Sequence, residues 1–189
     1  MRIIAGKFKG STLYAPKDKN IRPLKDLARE SIFNLLIHSN KIIFQFKNSN
    51  ILDLYAGTGS FGLECLSREA KNVCFVENER NAIKILEKNI QKLGLKKKTK
   101  IFSNEVFNLI KKRNIFDSKF NLIFCDPPFK NKNIENLIEL IFKSNLIENN
   151  GIIILHRNKN SLEKLPNYFE TINERIYGIS KIIFGRLLS

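Results

Sequence analysis

Asp53-Leu54-Tyr55-Ala56-Gly57-Thr58-Gly59-Ser60-Phe61-Gly62 follows a short apolar run that begins at Ile51. Its glycines allow a sharp turn and let a ligand approach the backbone, while a helix after the turn would present free amides. Taken literally, the stretch is G-x-G-x-x-G, which is typical of the first strand-to-helix turn of a nucleotide-binding sheet. A glycine-rich turn that binds no ligand would show the same pattern.

Around this turn, short apolar strands alternate with amphipathic helices. The periodicity predicts strands at 51–55, 72–77, 100–103, 120–125 and 151–156, and helices at about 60–68, 79–93, 105–112 and 132–144. Residues 168–175 and 181–188 flank Gly178 and indicate a closing antiparallel hairpin. We therefore predict an α/β fold with a mostly parallel seven-stranded sheet and a C-terminal antiparallel hairpin. This is the class I S-adenosylmethionine-dependent methyltransferase variant of the nucleotide-binding fold.

The segment before the sheet has its own pattern. Residues 1–20 alternate basic, apolar and turn residues, which predicts a short basic β-hairpin. A helical period then runs from Pro23 to His38 through these residues: Leu24, Leu27, Ile32, Leu35 and Leu36. We expect residues 1–189 to form a single domain in which residues 1–40 are an N-terminal extension.

Composition limits the possible partners. The 189 residues carry a formal net charge of +15, which favours a polyanion such as nucleic acid, although a lysine-rich coding bias would also produce it. Cys65, Cys74 and Cys125 fit neither a zinc site nor a disulfide framework, and His38 and His156 are predicted to be structural or surface residues. No metal site, membrane span or signal peptide is predicted, so we expect a cytoplasmic protein.

Two acidic residues bear on the ligand of the glycine-rich turn. Glu77, which ends the second predicted strand, can accept hydrogen bonds from the ribose hydroxyls of NAD or of S-adenosylmethionine. Asp53 can face the ammonium of a methionyl group but would repel a pyrophosphate, unless it only stabilises the turn. Asn104 is placed to contact an adenine edge, to cap the next helix, or to do both.

A second motif, Asp126-Pro127-Pro128-Phe129, follows the fourth predicted strand. An exocyclic base amine is a poor nucleophile because its lone pair is delocalised into the ring. Asp126 and the carbonyl of Pro127 can accept hydrogen bonds from the two N–H groups of the amine, which directs the nitrogen lone pair at a methyl donor. Asp126 can also take the proton that is released on methyl transfer. Phe129 offers a ring on which a flipped base can stack. Together with the glycine-rich turn, the motif predicts methyl transfer from S-adenosylmethionine.

The chain also resembles the RsmD family, bacterial methyltransferases that act on guanine N2 of small-subunit ribosomal RNA. The resemblance covers nearly the whole length and rests on these blocks: Met1–Gly10, Arg22-Pro23 with Asp26, Arg29–Asn34, Asp53–Gly62, Glu64 with Ser67-Arg68, and Asp126–Phe129. The N-terminal blocks are the specific ones, since other base methyltransferases share only the later motifs.

The resemblance implies a site and a substrate. The substrate is 16S ribosomal RNA or the small ribosomal subunit, and we expect the enzyme to be a monomer. The extension would bind RNA and close over the methionine end of S-adenosylmethionine, with these candidate RNA contacts: Arg2, Lys7, Lys9, Arg22 and Arg29. The cofactor contacts would be these residues: Asp53, Gly57, Gly59, Glu77 and Asn104. Departures from the family pattern are Leu24, Leu27 and Leu155.

Three alternatives remain open at this stage. An adenine-N6 nucleic-acid methyltransferase can use the same Asp-Pro-Pro-aromatic motif, although a DNA enzyme normally carries a large target-recognition region. An NAD-dependent oxidoreductase would explain the glycines but not Asp126-Pro127-Pro128-Phe129. A non-catalytic RNA-binding module would explain the charge but not the motifs.

Overall fold

The computed structural model describes residues 1–16, 26–112, 114–131, 133–162 and 164–188. The helices are α1 (Asp26–His38), α2 (Ser60–Ser67), α3 (Arg80–Lys92), α4 (Val106–Ile110) and α5 (Ile134–Lys143). The strands are β1 (Asn50–Leu54), β2 (Asn72–Glu77), β3 (Thr99–Ser103), β4 (Phe120–Cys125), β5 (Ile147–Asn158), β6 (Phe169–Tyr177) and β7 (Ser180–Leu187).

All seven strands form one sheet with the order β3-β2-β1-β4-β5-β7-β6. The first five are parallel, whereas β7 pairs antiparallel with both β5 and β6, so the predicted sheet and closing hairpin are confirmed. The strand order reverses between β1 and β4, where Leu54 lies opposite Cys125. The loops after these two strands therefore leave the sheet side by side, at the switch point where α/β sheets bind ligands.

Helix α1 packs on one face of the sheet. It buries Ala28, Ile32, Phe33 and Leu36, which recur at helical spacing. Leu27 is 67% exposed, so its predicted place on the apolar stripe is wrong: it lies one residue off the buried row. Leu24, the other leucine of that prediction, lies outside the described residues.

The N-terminal segment is a hairpin-shaped arm rather than a ladder of two strands. Among the described residues its two sides form one isolated antiparallel bridge, Arg2 with Thr12, and backbone N–H groups of Ile3, Gly10 and Leu13 donate across the arm. Its inner amides instead turn to α2: those of Ile4 and Ala5 donate to the Glu64 carboxylate, at 2.7 and 3.0 Å. Glu64 is fully buried, so the arm satisfies a charged group of the core and is fixed to the domain by it.

A membrane-spanning helix is not found among the described residues, since none of their helices has the necessary length and apolarity.

Candidate active site

A cavity of about 640 Å³ opens at the carboxyl ends of β1, β2 and β4. Both sequence motifs contribute to it, because the glycine-rich turn follows β1 and Asp126-Pro127-Pro128-Phe129 follows β4. The described lining residues are Pro16, Asp53, Tyr55, Ala56, Gly57, Thr58, Ser60, Phe61, Glu77, Asn78, Glu79, Phe124, Asp126, Pro127, Pro128, Phe129, Lys130, His156, Ile179 and Ser180.

The two predicted glycines of the turn have different physical roles. Gly57 has a φ of +55° and open space where a Cβ would lie, so the backbone can be approached closely there. Gly59 does not line the cavity, and a Cβ on it would lie 2.2 Å from Leu86 Cδ1 of α3. A glycine is needed at position 59 because of close packing against α3 and a left-handed φ. The structure gives no support to its predicted cofactor contact, since Gly59 is not among the residues that line the cavity.

Glu77 is held in place by backbone amides. Its Oε2 accepts from Gly57 N–H at 2.7 Å, and its Oε1 accepts from Asn78 and Glu79 N–H at 2.8 and 2.9 Å. A carboxylate offers about four acceptor sites, so three amide bonds orient it and still leave capacity for a ligand hydroxyl. These three bonds hold the carboxylate at the cavity wall.

Asp53 lies beneath the turn and is 1% exposed. Its Oδ2 accepts from Gly62 N–H at 3.0 Å, which ties β1 to the first turn of α2. Burial raises the pKa of the Asp53 carboxyl well above its ordinary value, and the charges of Asp126 and Glu77 raise it further, against the lowering effect of the Gly62 amide. A cation bound in the cavity would stabilise the ionised carboxylate and so lower its pKa.

Asp126 is hydrogen-bonded to His156, which the sequence analysis did not predict to be part of the site. His156 Nδ1 lies 2.7 Å from Asp126 Oδ1, and His156 Nε2 lies 2.9 Å from Ser180 Oγ. Of the two predicted alternatives for His156, the surface position is wrong, because the residue is 6% exposed; it is a buried, hydrogen-bonded residue that also lines the cavity. The hydrogen-bonded residues Asp126, His156 and Ser180 therefore connect the ends of β4, β5 and β7.

The loop after Asp126 is fixed from β5 as well. The buried guanidinium of Arg157 donates to the carbonyls of Pro128 and Asn131, and Asn131 N–H donates to Pro128 at 2.8 Å. The Phe129 ring packs edge-to-face on His156, with centroids 5.3 Å apart. Adjacent residues of β5 therefore hold both ends of the motif.

The remaining predicted site residues are scattered. The side chain of Asn104 is not among the cavity lining, and Glu105 rather than Asn104 caps α4, because its carboxylate accepts from the Phe107 and Asn108 amides. Arg2, Lys7 and Lys9 are exposed on the N-terminal arm.

Two of the predicted RNA contacts need separate treatment. Arg29 is fully buried and its guanidinium donates to the Arg2 carbonyl at 2.8 Å, so its predicted RNA contact is wrong: the side chain fixes the arm from inside. Arg22 lies outside the described residues.

The charge of the cavity is opposite to that of the chain. Carboxylates of Asp53, Glu77, Glu79 and Asp126 line it, together with the ammonium of Lys130. Anionic walls favour a cationic ligand and oppose a pyrophosphate, by Coulomb attraction and repulsion in a partly buried space. The residues therefore fit S-adenosylmethionine, which carries a sulfonium and an ammonium, better than they fit NAD.

The strand order and the position of the cavity define the class I methyltransferase fold. A solved structure from Escherichia coli, described as a candidate methyltransferase, matches with a TM-score of 0.84 at 24% identity, covering 100% of this chain and 98% of that one. A candidate methylase from Haemophilus influenzae matches with a TM-score of 0.79 at 28% identity, over 100% and 98% of the two chains.

The family follows from sequence comparison. The model of the family described as Conserved hypothetical protein 95 matches residues 1–186. The chain belongs to this family, which is the RsmD family that its sequence motifs resemble. Ribosomal RNA small subunit methyltransferase D of Buchnera aphidicola subsp. Baizongia pistaciae is 35% identical over 165 residues, covering 87% of this chain and 79% of that protein. The Haemophilus influenzae protein of that name is 31% identical over 179 residues, covering 95% and 90%.

Proposed function

We propose that this chain transfers a methyl group from S-adenosylmethionine to the exocyclic N2 amine of a guanine in 16S ribosomal RNA. The observation that carries the proposal is the meeting of Asp126-Pro127-Pro128-Phe129 with the glycine-rich turn in one carboxylate-lined cavity. The names of the relatives support the RNA substrate, since those proteins are ribosomal RNA small subunit methyltransferases.

Each wall of the cavity has a task in this proposal. Glu77 accepts hydrogen bonds from the ribose hydroxyls, Asp53 faces the ammonium of the methionine moiety, and Gly57 lets the nucleoside lie against the backbone. S-adenosylmethionine, when bound, supplies an electrophilic methyl group on a sulfonium. Asn104 lies on the neighbouring strand end, from which its side chain would reach the adenine edge.

The substrate side is formed by the loop after β4. Asp126 and the Pro127 carbonyl accept hydrogen bonds from the two N–H groups of the amine, so that the nitrogen lone pair is directed at the methyl donor rather than delocalised into the ring. Phe129 stacks on the flipped base. As the amine gains the methyl group it loses a proton, and the Asp126 carboxylate accepts that proton. The rest of the rate enhancement is positioning of the two reactants.

Exposed cations of the N-terminal arm bind the RNA backbone. Arg2, Lys7 and Lys9 are exposed on this arm, and we propose Arg22 as a further RNA contact. Residues 1–40 thus serve as the RNA-binding and cofactor-closing extension of a single domain. We further propose that the enzyme acts as a monomer in the cytoplasm and needs no metal ion.

The test is methyl transfer in vitro followed by mapping of the product. The purified chain is incubated with S-adenosylmethionine labelled in the methyl group and with 16S ribosomal RNA or small subunits, and the RNA is digested and analysed by mass spectrometry. We expect label in N2-methylguanosine. Label in N6-methyladenosine would show that the target is adenine and not guanine. Absence of label from every RNA would overturn the proposed methyltransferase activity.

A further inference from the structure

Strand β5 places a histidine against both substrate-side residues of the cavity. The ring of His156 is bonded to Asp126 through Nδ1 and to Ser180 through Nε2, at 2.7 and 2.9 Å. Its edge-to-face contact with Phe129 has an interplanar angle of 77°. Both ring nitrogens and the ring face have partners, so the imidazole is held in one orientation.

The direction of these bonds follows from the chemistry of the partners. An ionised carboxylate can only accept, so Nδ1 carries a hydrogen and donates to Asp126 Oδ1. Ser180 can donate to Nε2 or accept from it, and it therefore fits either charge state of the ring. The bond to His156 uses one acceptor site of Oδ1, so Oδ2 keeps both of its acceptor sites for the substrate amine.

We propose that His156 is the positioning residue of the methyl-transfer site, which aims Asp126 Oδ2 at the amine and holds the Phe129 ring for the base. This inference rests on the proposed function. The terminal torsion χ2 of an aspartate normally takes a broad range of angles. A hydrogen bond from a fixed donor restricts the carboxylate to one of them. Misplacement of a reacting group by about 1 Å can lower a rate by about 100-fold.

Two variants separate the roles of the ring. His156→Phe retains an aromatic ring against Phe129 and removes both hydrogen bonds. His156→Asn keeps an amide donor near the position of Nδ1 and loses the ring. We expect His156→Phe to lower kcat by about 10- to 100-fold and to leave KM for RNA within about twofold of wild type. We expect His156→Asn to recover most of kcat and to raise KM for RNA.

A purely structural histidine would give a different result. In that case the loss of kcat in both variants would follow the loss of thermal stability, and His156→Asn would not recover kcat. Either outcome, or wild-type kcat in His156→Phe, would overturn the proposal. The dissociation constant for S-adenosylhomocysteine serves as a readout independent of turnover, and we expect it to be unchanged because the proposed cofactor contacts lie at the carboxyl ends of β1, β2 and β3, away from β5.

A spectroscopic measurement distinguishes failure of this inference from failure of the proposed function. In ¹⁵N-histidine-labelled protein, we expect a protected Nδ1–H resonance from His156 that disappears in Asp126→Ala, whether or not methyl transfer occurs. If the resonance is present but wild type methylates no RNA, the proposed function fails. If wild type methylates RNA and the resonance is absent, the positioning role of His156 fails.

Discussion

Asn89 and Tyr14 are joined by two hydrogen bonds: the backbone N–H of Tyr14 donates to Asn89 Oδ1 at 2.7 Å, and Asn89 Nδ2 donates to the Tyr14 carbonyl at 3.1 Å. The same Nδ2 donates to the Thr58 carbonyl in the glycine-rich turn, also at 3.1 Å. One buried amide of α3 therefore ties the end of the N-terminal arm to the turn that approaches the ligand. Pro16, just beyond Tyr14, lines the cavity.

Replacement of Asn89 by Ala is expected to weaken both the fold and cofactor binding. It removes two part-buried bonds to Tyr14 and leaves the buried Thr58 carbonyl without this donor, so the free energy of unfolding should fall by about 1–3 kcal/mol. The dissociation constant for S-adenosylhomocysteine should rise, because the turn loses a support. Urea unfolding and calorimetry measure the two effects, and Gln91→Ala on the exposed face of α3 is the control. Equal affinities in Asn89→Ala and Gln91→Ala would contradict the link.

Gly6 and Gly10 form a matched pair on the arm. Both have a left-handed φ, of +81° and +84°, but a Cβ on Gly6 would lie 1.9 Å from the Ser67 carbonyl oxygen whereas Gly10 faces open space. Gly10→Ala should cost about 1 kcal/mol of unfolding free energy from backbone strain alone. Gly6→Ala should cost clearly more, because the arm must move off α2. Equal losses in urea unfolding would show that the close contact with Ser67 is unimportant.

Glu77→Ala should weaken binding of S-adenosylhomocysteine by about 1–3 kcal/mol, the scale of lost charge-assisted hydrogen bonds. Part of the loss comes from Gly57, whose amide loses its acceptor. Isothermal titration calorimetry measures the effect, with Glu87→Ala as a control because that residue is exposed on α3. An unchanged dissociation constant for Glu77→Ala would refute the assignment.

Asp53 predicts a pH dependence of stability in the absence of cofactor. Because burial raises the pKa of its carboxyl, the folded protein binds a proton more tightly than the unfolded chain does. The contribution of Asp53 is therefore fully present below the ordinary carboxyl pKa of about 3.9 and is lost as pH rises through the raised pKa. Asp53→Asn keeps an acceptor for Gly62 N–H but does not titrate.

We expect the stability of Asp53→Asn relative to wild type to increase with pH, as measured by urea unfolding at several pH values from about 4 upward. A difference independent of pH would argue against a raised pKa. The same variant should bind S-adenosylhomocysteine more weakly, since the amide cannot offer a full negative charge to an ammonium.

Asp126→Ala is expected to abolish methyl transfer and to leave the affinity for S-adenosylhomocysteine, which lacks the sulfonium charge, close to that of wild type, because the residue faces the substrate amine. Asp126→Asn gives a sharper test, as it preserves shape but cannot accept the released proton. Single-turnover transfer to RNA measures both variants, and unchanged turnover in either would remove Asp126 from its proposed role.

Hydrophobic periodicity predicted most of the sheet. Each of the seven strands predicted for the sheet corresponds to an observed one, and Gly94 has the left-handed φ, +66°, that suits the end of α3. The errors lie where tertiary contacts override local pattern. Strand β5 begins at Ile147, ahead of the predicted 151, and the N-terminal arm forms one bridge because Glu64 takes its amides.

The site was predictable only where one motif carries a function. Asp53, Gly57, Glu77 and Asp126 lie at or just after the carboxyl ends of strands, and a parallel sheet brings these ends together. His156 could not be placed because its partner Ser180 depends on the register of an antiparallel strand, which local sequence does not define. Arg29 shows the opposite failure: its charge suggested a surface, but its burial depends on the Arg2 carbonyl across the arm.

The insertion of β7 between β5 and β6 also affects how the protein is made. Ribosomes synthesise β5 well before β7, so a growing chain carries the 12 residues of β5 as an open sheet edge with a buried-type apolar run at Ile152–Leu155. Open edges of this kind pair with other chains. Strand β7 covers this edge in the folded protein, so we expect a chain that ends before β7 to aggregate more readily than the full chain.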